Sequence, residues 1–401
     1  MKRFSYKAKD KSTGKLIKGN IQAENERTAG RLLIEQGYVP ESISEQGTGL
    51  LSKGNRITTK DRIMFTRQMA TLIGAGLPLA ASLRTVVEQT QNKSMKNIAE
   101  EILANVEAGK SLHESFSHYP QVFNGVYLAL IQAGEASGTL DLALKRLADQ
   151  EEKDAAMMSK IRGALVYPGI ILAVIIAVLA FMMIAVVPQV EDLYNDMHQE
   201  LPGLTNILVD ITNFFGSFWW LILLIVIGII GGIYYSVKYT TPGRKAMDAF
   251  KINVPIFGGL FRKLYVSRFA RTCEMMLATG VPMLDSVKIS INAVNNVVVE
   301  EEYSKALESI KGGKPLSKSL KDREYMLPLV HQMASIGEES GKIDEMLGKA
   351  AQVYENELDE QINNISTMIE PILMVVMAGL IGVVVGGTLL PIYSLVNSAN
   401  V

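Results

Sequence analysis

Three stretches of this chain leave little choice of structure. Gly169–Val187 and Ile372–Leu390 each run 19 residues without Asp, Glu, Lys, Arg or His, and Phe214–Val237 forms a third apolar run. At about 1.5 Å per residue, each is long enough to cross a hydrocarbon core of roughly 30 Å. A soluble core helix of that length would carry a polar face, and these runs carry none. Inside lipid every backbone N–H and C=O must be satisfied within the segment, so the expectation is three transmembrane helices: 169–187, 214–237 and 372–390. The apolar content, 48% of 401 residues, agrees.

Charge orients them. Residues 188–213 have no Lys or Arg, and together with the next few residues they carry Glu191, Asp192, Asp196, Glu200 and Asp210; the tail 391–401 has no charge. All 40 basic residues lie before residue 169 or between 238 and 371. Lys153, Lys160 and Arg162 precede the first span, and Lys238, Arg244 and Lys245 follow the second. The positive-inside rule places these segments in the cytoplasm, with 188–213 and 391–401 outside. The N-terminus, with no apolar leader, is expected in the cytoplasm, and the C-terminus outside. Phe218-Trp219-Trp220 and Tyr234-Tyr235 stand at the two ends of the second span, as interfacial aromatics do.

The halves repeat. Phe65-x-Arg67 and Ala75-Gly76-x-Pro78 return as Phe269-x-Arg271 and Thr279-Gly280-x-Pro282. Gly109-Lys110-x-Leu112 returns as Gly313-Lys314-x-Leu316, and Gly134-Glu135-x-Ser137-Gly138 as Gly337-Glu338-x-Ser340-Gly341. The offset is 204 residues, then 203 after one deletion. Helical periodicity over 58–168 and 265–371 predicts a bundle of about six helices in each copy. The second span gains a reason: it returns the chain, so that both copies face the cytoplasm. Residues 1–46 differ. Alternating Phe4, Tyr6 and Ala8, a turn at Asp10–Gly14, a second strand, a helix capped by Asn25 and ended by Gly37, and a third strand read as a small β-β-α-β segment. A linker at 47–57 and a connector at 238–264 complete an all-α membrane protein with a small α/β N-terminal segment. In the first copy helices are expected near 94–107, 111–118, 124–135 and 139–187, with Pro78 in the first turn of one and Pro168 kinking or breaking another.

No motif points to catalysis. Gly109-Lys110-Ser111 lacks the upstream glycine of a phosphate loop, and the second copy has Pro315 at the serine position. A helix end with Gly in a left-handed cap, and Lys on the exposed carbonyls, accounts for it. His113, His118, His198 and His331 have no metal spacing, so neither metal nor cofactor is expected. The acidic runs Glu300–Glu302 and Glu355–Glu360 read as solvated faces, and divalent binding there stays open. Cys273 is alone, so no disulfide forms within the chain. Net charge is −1, which gives no case for nucleic acid as a partner. In the corners Gly134, Glu135, Ser137, Gly138 and Gly337, Glu338, Ser340, Gly341, two glycines permit a tight turn, Ser137 and Thr139 can cap the following helix, and Glu135 suits that helix's dipole. Contact with a partner is the alternative. Small residues four apart (Gly228 and Gly232, Gly382 and Gly386, Ala173 and Ala177) allow close helix packing within one chain or in a homo-oligomer. An intramembrane enzyme or a transporter would need polar or ionisable groups at mid-membrane, which the runs lack.

The doubled Ala-Gly-x-Pro and Gly-Glu-x-Ser-Gly motifs, Tyr167-Pro168, Glu370-Pro371 and the opening Phe4-x-Tyr6-x-Ala8 with Gly14, Gly19 and Ala23 resemble the type II secretion F family over nearly the whole chain. That family includes platform proteins of type IV pili (PilC-like) and of type II secretion systems (GspF-like). The resemblance implies a non-enzymatic platform in the cytoplasmic (inner) membrane. It implies as partners a hexameric assembly or retraction ATPase, pilins or pseudopilins, and other inner-membrane assembly proteins; nucleic acid would enter only in a competence system.

Overall fold

The computed structural model describes residues 2–10, 16–23, 26–35, 37–45, 56–196, 203–255 and 257–399. The N-terminal segment is β1 (Lys2–Asp10), β2 (Leu16–Ala23), α1 (Glu26–Glu35) and β3 (Tyr38–Glu45). Its sheet has the order β2-β1-β3, antiparallel throughout, with Lys2 opposite Ala23 and an irregularity against β3 between Lys7 and Ala8. Ala8 and Leu33 are buried, as the alternation of β1 and the apolar stripe of α1 require. Gly37 follows α1 at φ +86°, open to glycine at no steric cost. The expected turn after Asp10, the Asn25 cap and the 47–54 part of the linker lie outside the described residues. This sheet belongs to a compact unit of Met1–Asp61 and Thr90–Ile98; the remaining residues form a second unit.

The helices that follow occur twice. The first copy has α2 (Thr59–Gly74), α3 (Leu79–Gln89), α4 (Lys93–Glu107), α5 (Leu112–Ser117), α6 (Gly125–Ser137) and α7 (Leu140–Phe181). A π turn (Met182–Val186), α8 (Val187–Asp196), α9 (Gly203–Tyr239) and α10 (Thr241–Asn253) come between the copies. The second copy has α11 (Gly258–Ala278), α12 (Met283–Val294), α13 (Val297–Lys311), α14 (Leu316–Lys321), α15 (Pro328–Ser340) and α16 (Ile343–Ala399). Leu79 to Met283, Lys93 to Val297 and Leu112 to Leu316 are each 204 apart, and Leu140 to Ile343 is 203 apart. The lost residue falls in the turn between α14 and α15, where no helix register is disturbed.

The repeated phenylalanines anchor both cores. Phe65 meets Phe116 edge-on at 6.2 Å, beside Phe123 and Tyr127; Phe269 meets Tyr303 edge-on at 5.2 Å. All six rings are essentially solvent-free. Burial pushes the Cys273 thiol up to about 12, so it stays protonated and packs as a small apolar group.

Among the described residues three helices are long and apolar enough to cross a membrane, and most of the apolar residues along them point outward. Two sequence expectations need correction here. α7 is continuous through Pro168, and α16 runs unbroken through Pro371 and Pro391. The first span instead departs from α geometry at Met182–Val186, one turn before Pro188. Pro188 has no N–H for the carbonyl four residues back and its ring crowds that carbonyl, so a widened turn accommodates it. In addition, Pro78 stands just before α3 and not within it, and its carbonyl accepts the Ser82 N–H at 2.9 Å.

Candidate functional site

The doubled Gly-Glu-x-Ser-Gly corner resolves into four separate jobs. Gly134 lies where α6 crosses the start of α7: a Cβ there would stand 2.8 Å from the Ala143 Cβ and 3.1 Å from the Leu140 Cα. At Gly337 a Cβ would stand 2.6 Å from the Ile343 Cα. The last glycines, Gly138 and Gly341, both have φ +72° and cap α6 and α15 in left-handed geometry. Ser137 and Ser340 donate back to the carbonyls of Ala133 and Ile336, both at 2.7 Å. The expected cap on α7 is therefore absent: Thr139 precedes α7 without capping it, and its hydroxyl instead hydrogen-bonds that of Ser137 at 2.7 Å.

The glutamates also act elsewhere than the sequence suggests. Glu135 does not serve the N-terminus of α7. Its two carboxylate oxygens accept the N–H groups of Leu112 (2.5 Å) and His113 (2.8 Å), at the start of α5. Glu338 does the same for α14, accepting Leu316 N–H at 2.5 Å and the Ser317 hydroxyl at 2.5 Å. In the first copy Ser111 completes the cap by accepting the Glu114 N–H at 3.0 Å; Pro315 in the second copy has no side-chain cap. Six-residue helices cannot hold themselves together, so a carboxylate brought from the neighbouring helix fixes each one. The Gly109 and Gly313 turns take φ of +86° and +85°. Lys110 reaches the Glu114 carboxylate at 3.8 Å and not the helix carbonyls.

A second repeated device lies outside the Gly-rich motifs. Arg67 forks onto Glu152 (2.7 and 2.8 Å), and Arg271 onto Glu355 (2.8 and 2.9 Å). The pairing holds the Glu152 carboxyl below its ordinary range. The signal was present, because Arg67 belongs to the Phe-x-Arg motif and Glu152 precedes Glu355 by 203. Beside the first fork the copies diverge. Arg62, Thr66, Tyr127 and Glu151 meet in a buried polar group, with Arg62 Nε 2.7 Å from Glu151 and the Thr66 and Tyr127 hydroxyls 3.2 Å apart. The matching positions are Val266, Ala270, Val330 and Tyr354. Burial raises the Glu151 carboxyl above its usual range, against the pull of Arg62.

The copies meet along a charged seam of α7 on α11 and α16. Arg146 reaches Glu274 (3.3 Å), Lys153 reaches Glu355 (3.9 Å), Arg268 faces Asp154 (4.0 Å) and Lys160 holds Asp359 (2.6 Å). Burial raises Asp154 and Glu274. A polar cleft of about 200 Å³ opens between these pairs. Nearer the spans the seam turns apolar: Met157 and Ile161 pack on Leu260, Leu264, Leu358 and Ile362.

Within the spans an apolar crevice of about 960 Å³ lies between α7 with its π turn, α9 and α16, lined by Ile176, Met183, Thr212, Phe215, Trp219 and Leu380. The small residues do not face it. A Cβ at Gly228, Gly232 or Gly382 would meet nothing within 4 Å among the described residues, and Gly386 is half-buried. Among the described residues no cluster of His, Cys, Asp and Glu is arranged to hold a metal.

A bundle used twice on uncharged spans defines a polytopic membrane protein with duplicated helical domains. The family described as type II secretion system (T2SS), protein F matches residues 65–188 and 269–391, and the family's N-terminal domain matches residues 1–44. The chain belongs to that family. It is 35% identical to the type IV pilus assembly protein PilC of Thermus thermophilus, over 99% of both chains. It is 36% identical to the PilC of Pseudomonas aeruginosa over 91% of this chain and 98% of that one. It is 33% identical to the type II secretion system protein F of Vibrio cholerae over 99% of each.

Proposed function

We propose that this chain is the inner-membrane platform on which a type IV pilus or type II secretion machine assembles its fibre, and that it couples a separate cytoplasmic ATPase to the addition of pilins or pseudopilins. The observation that carries this is full-length similarity to proteins named for both machines, on a fold whose repeated motifs do structural work. The two bundles are surfaces for the hexameric motor and for other inner-membrane assembly proteins. The crevice between the spans suits the apolar helix of a client subunit, and the open glycine faces suit a homo-oligomer. Both bundles and the N-terminus lie in the cytoplasm, with the C-terminus outside. A periplasm-specific reporter should be active after residue 401 and silent near residue 250; the opposite pattern would refute this orientation.

The test of function is genetic and biochemical together. Deleting the gene in its host should abolish surface fibres or cargo secretion, and the full-length gene should restore them. The purified chain should hydrolyse no ATP by itself and should co-purify with the assembly ATPase encoded in the same host. Normal fibres and secretion in the deletion strain would end the platform reading; ATP turnover by the pure chain would end the division of labour.

A further inference from the structure

α10 has one face that nothing among the described residues covers. Its inner face carries Asp248 and Ile252, 4% exposed each, and packs on the start of α13. The Asp248 carboxylate accepts the Val297 N–H at 3.1 Å, and the Asn296 side-chain amide donates to the Asp248 carbonyl at 3.2 Å. At 100° per residue Phe250 projects opposite that face, with Ala246 one turn before it. Phe250 is 64% exposed, as is Tyr239 at the preceding helix end. A large aromatic aimed away from the bundle on a helix otherwise anchored by a buried carboxylate calls for an occupant.

Both ends of α10 are held at the level where the spans begin. Its N-terminus follows α9 after a single residue, Thr240, and the turn is tight enough that a Cβ on Gly243 would stand 2.2 Å from the Ser236 hydroxyl. Its C-terminus abuts α11, where a Cβ on Gly258 would stand 2.3 Å from the Ile252 carbonyl. The start of α11 belongs to the apolar cluster that takes in Phe257, Ala164 and Ile369. Exposed apolar residues begin immediately beyond, at Val166 on α7 and Met368 on α16. The second bundle therefore lies on one side of α10 and the plane of the spans on the other.

We propose that α10 is an interfacial helix, with Phe250 and Ala246 seated in the headgroup and upper acyl region of the cytoplasmic leaflet. This placement rests on α9 crossing the bilayer. Basic side chains stand away from the apolar face, where an interfacial helix carries them: Lys251 near the boundary between the two faces, and Arg244 and Lys245 on opposite flanks of the inner face, each more than a third exposed. Their protein partners, Asp248 for Arg244 (4.0 Å) and Lys251 (2.9 Å) and Glu301 for Lys245 (2.5 Å), hold them in place and leave the outer part of each head group for lipid phosphate. The occupant is lipid, and the second copy of the bundle rests on the membrane through this helix.

Nitroxide accessibility in the full-length chain, reconstituted in liposomes containing anionic phospholipid, tests this. Cys273 is buried and takes no label. Labels are placed at Phe250→Cys, at the milder Ala246→Cys, at Ile227→Cys in α9 and at the exposed Lys314→Cys. The ratio of oxygen to water-soluble nickel-complex collisions should be highest at 227, intermediate at 250 and 246, and lowest at 314, placing α10 about 5–10 Å into the boundary. A ratio at 250 and 246 equal to that at 314 overturns the proposal. So does exclusion of both reagents there, which would mean a protein covers the face. A water-like ratio at 227 would instead refute the membrane reading of α9.

Discussion

Replacing Glu135 by Ala should unfasten α5 without touching the spans. The carboxylate is half-buried and accepts two backbone N–H groups, at 2.5 and 2.8 Å, on a helix of only six residues. Hydrogen bonds to a charged group contribute about 1.5–3 kcal/mol each, and partial solvent access to this site reduces that, leaving a combined loss of about 2–3 kcal/mol. At about 1.4 kcal/mol per tenfold, local opening should become roughly 30- to 140-fold more frequent. Hydrogen exchange of the detergent-solubilised chain reads this directly: protection at Leu112–Phe116 should fall by that factor while exchange in α9 stays unchanged. Glu135→Gln keeps one acceptor oxygen and should fall between. The second copy sharpens the reasoning. α14 has Pro315 where α5 has Ser111, so Glu338 is its sole side-chain cap among the described residues, and Glu338→Ala should deprotect α14 more than Glu135→Ala deprotects α5. Unchanged exchange in α5 after Glu135→Ala would refute the capping role.

Gly337→Ala forces a Cβ to within 2.6 Å of the Ile343 backbone, so α15 and α16 must separate; thermal unfolding should show a loss of about 1–3 kcal/mol, larger than for Gly134→Ala, whose nearest obstacle is a methyl. An equal or smaller loss at Gly337 would count against the crossing geometry. Glu151 links stability to pH. Its folded-state pKa is raised, so the folded chain holds the proton more tightly, and its contribution is full below about 4.5 and is lost as pH rises through the folded value. Melting curves from pH 4.5 to 7 should therefore flatten in Glu151→Gln, with Asp154 and Glu274, raised in the same direction, leaving a residual slope; an unchanged slope would remove Glu151 from the account.

The repeat register and the three spans were legible because both rest on local pattern: an offset of 204 or 203 and runs without charge. The glycine caps were legible for the same reason, since a left-handed residue after a helix is a local demand. What the sequence concealed was each contact made across turns. Glu135 stands five residues before α7 and invites a dipole argument there, yet its carboxylate reaches 22 and 23 residues back to α5. Arg67 finds Glu152 across 85 residues, and only the paired offsets of the two copies hint at it. Pro168 reads as a kink or a break by local rule, yet the helix is unbroken there, because one lost hydrogen bond is a small fraction of a helix with dozens of others. The seam is spread over α7, α11 and α16, so no single window of sequence contains it.

α16 runs 57 residues without a break, about 85 Å of helix from just past the corner at Gly341, through the third span, to Ala399. Rotation or tilt imposed at the cytoplasmic end of such a rod must appear at its far end, because no hinge exists to absorb it. α7 is a different kind of element, since its helical ladder changes pitch at Met182–Val186 before the first span is complete. The same force applied to both copies therefore arrives as rigid displacement along one span and as local unwinding in the other. Those two spans and α9 together wall the crevice, so its shape depends on the difference between a stiff wall and a yielding one.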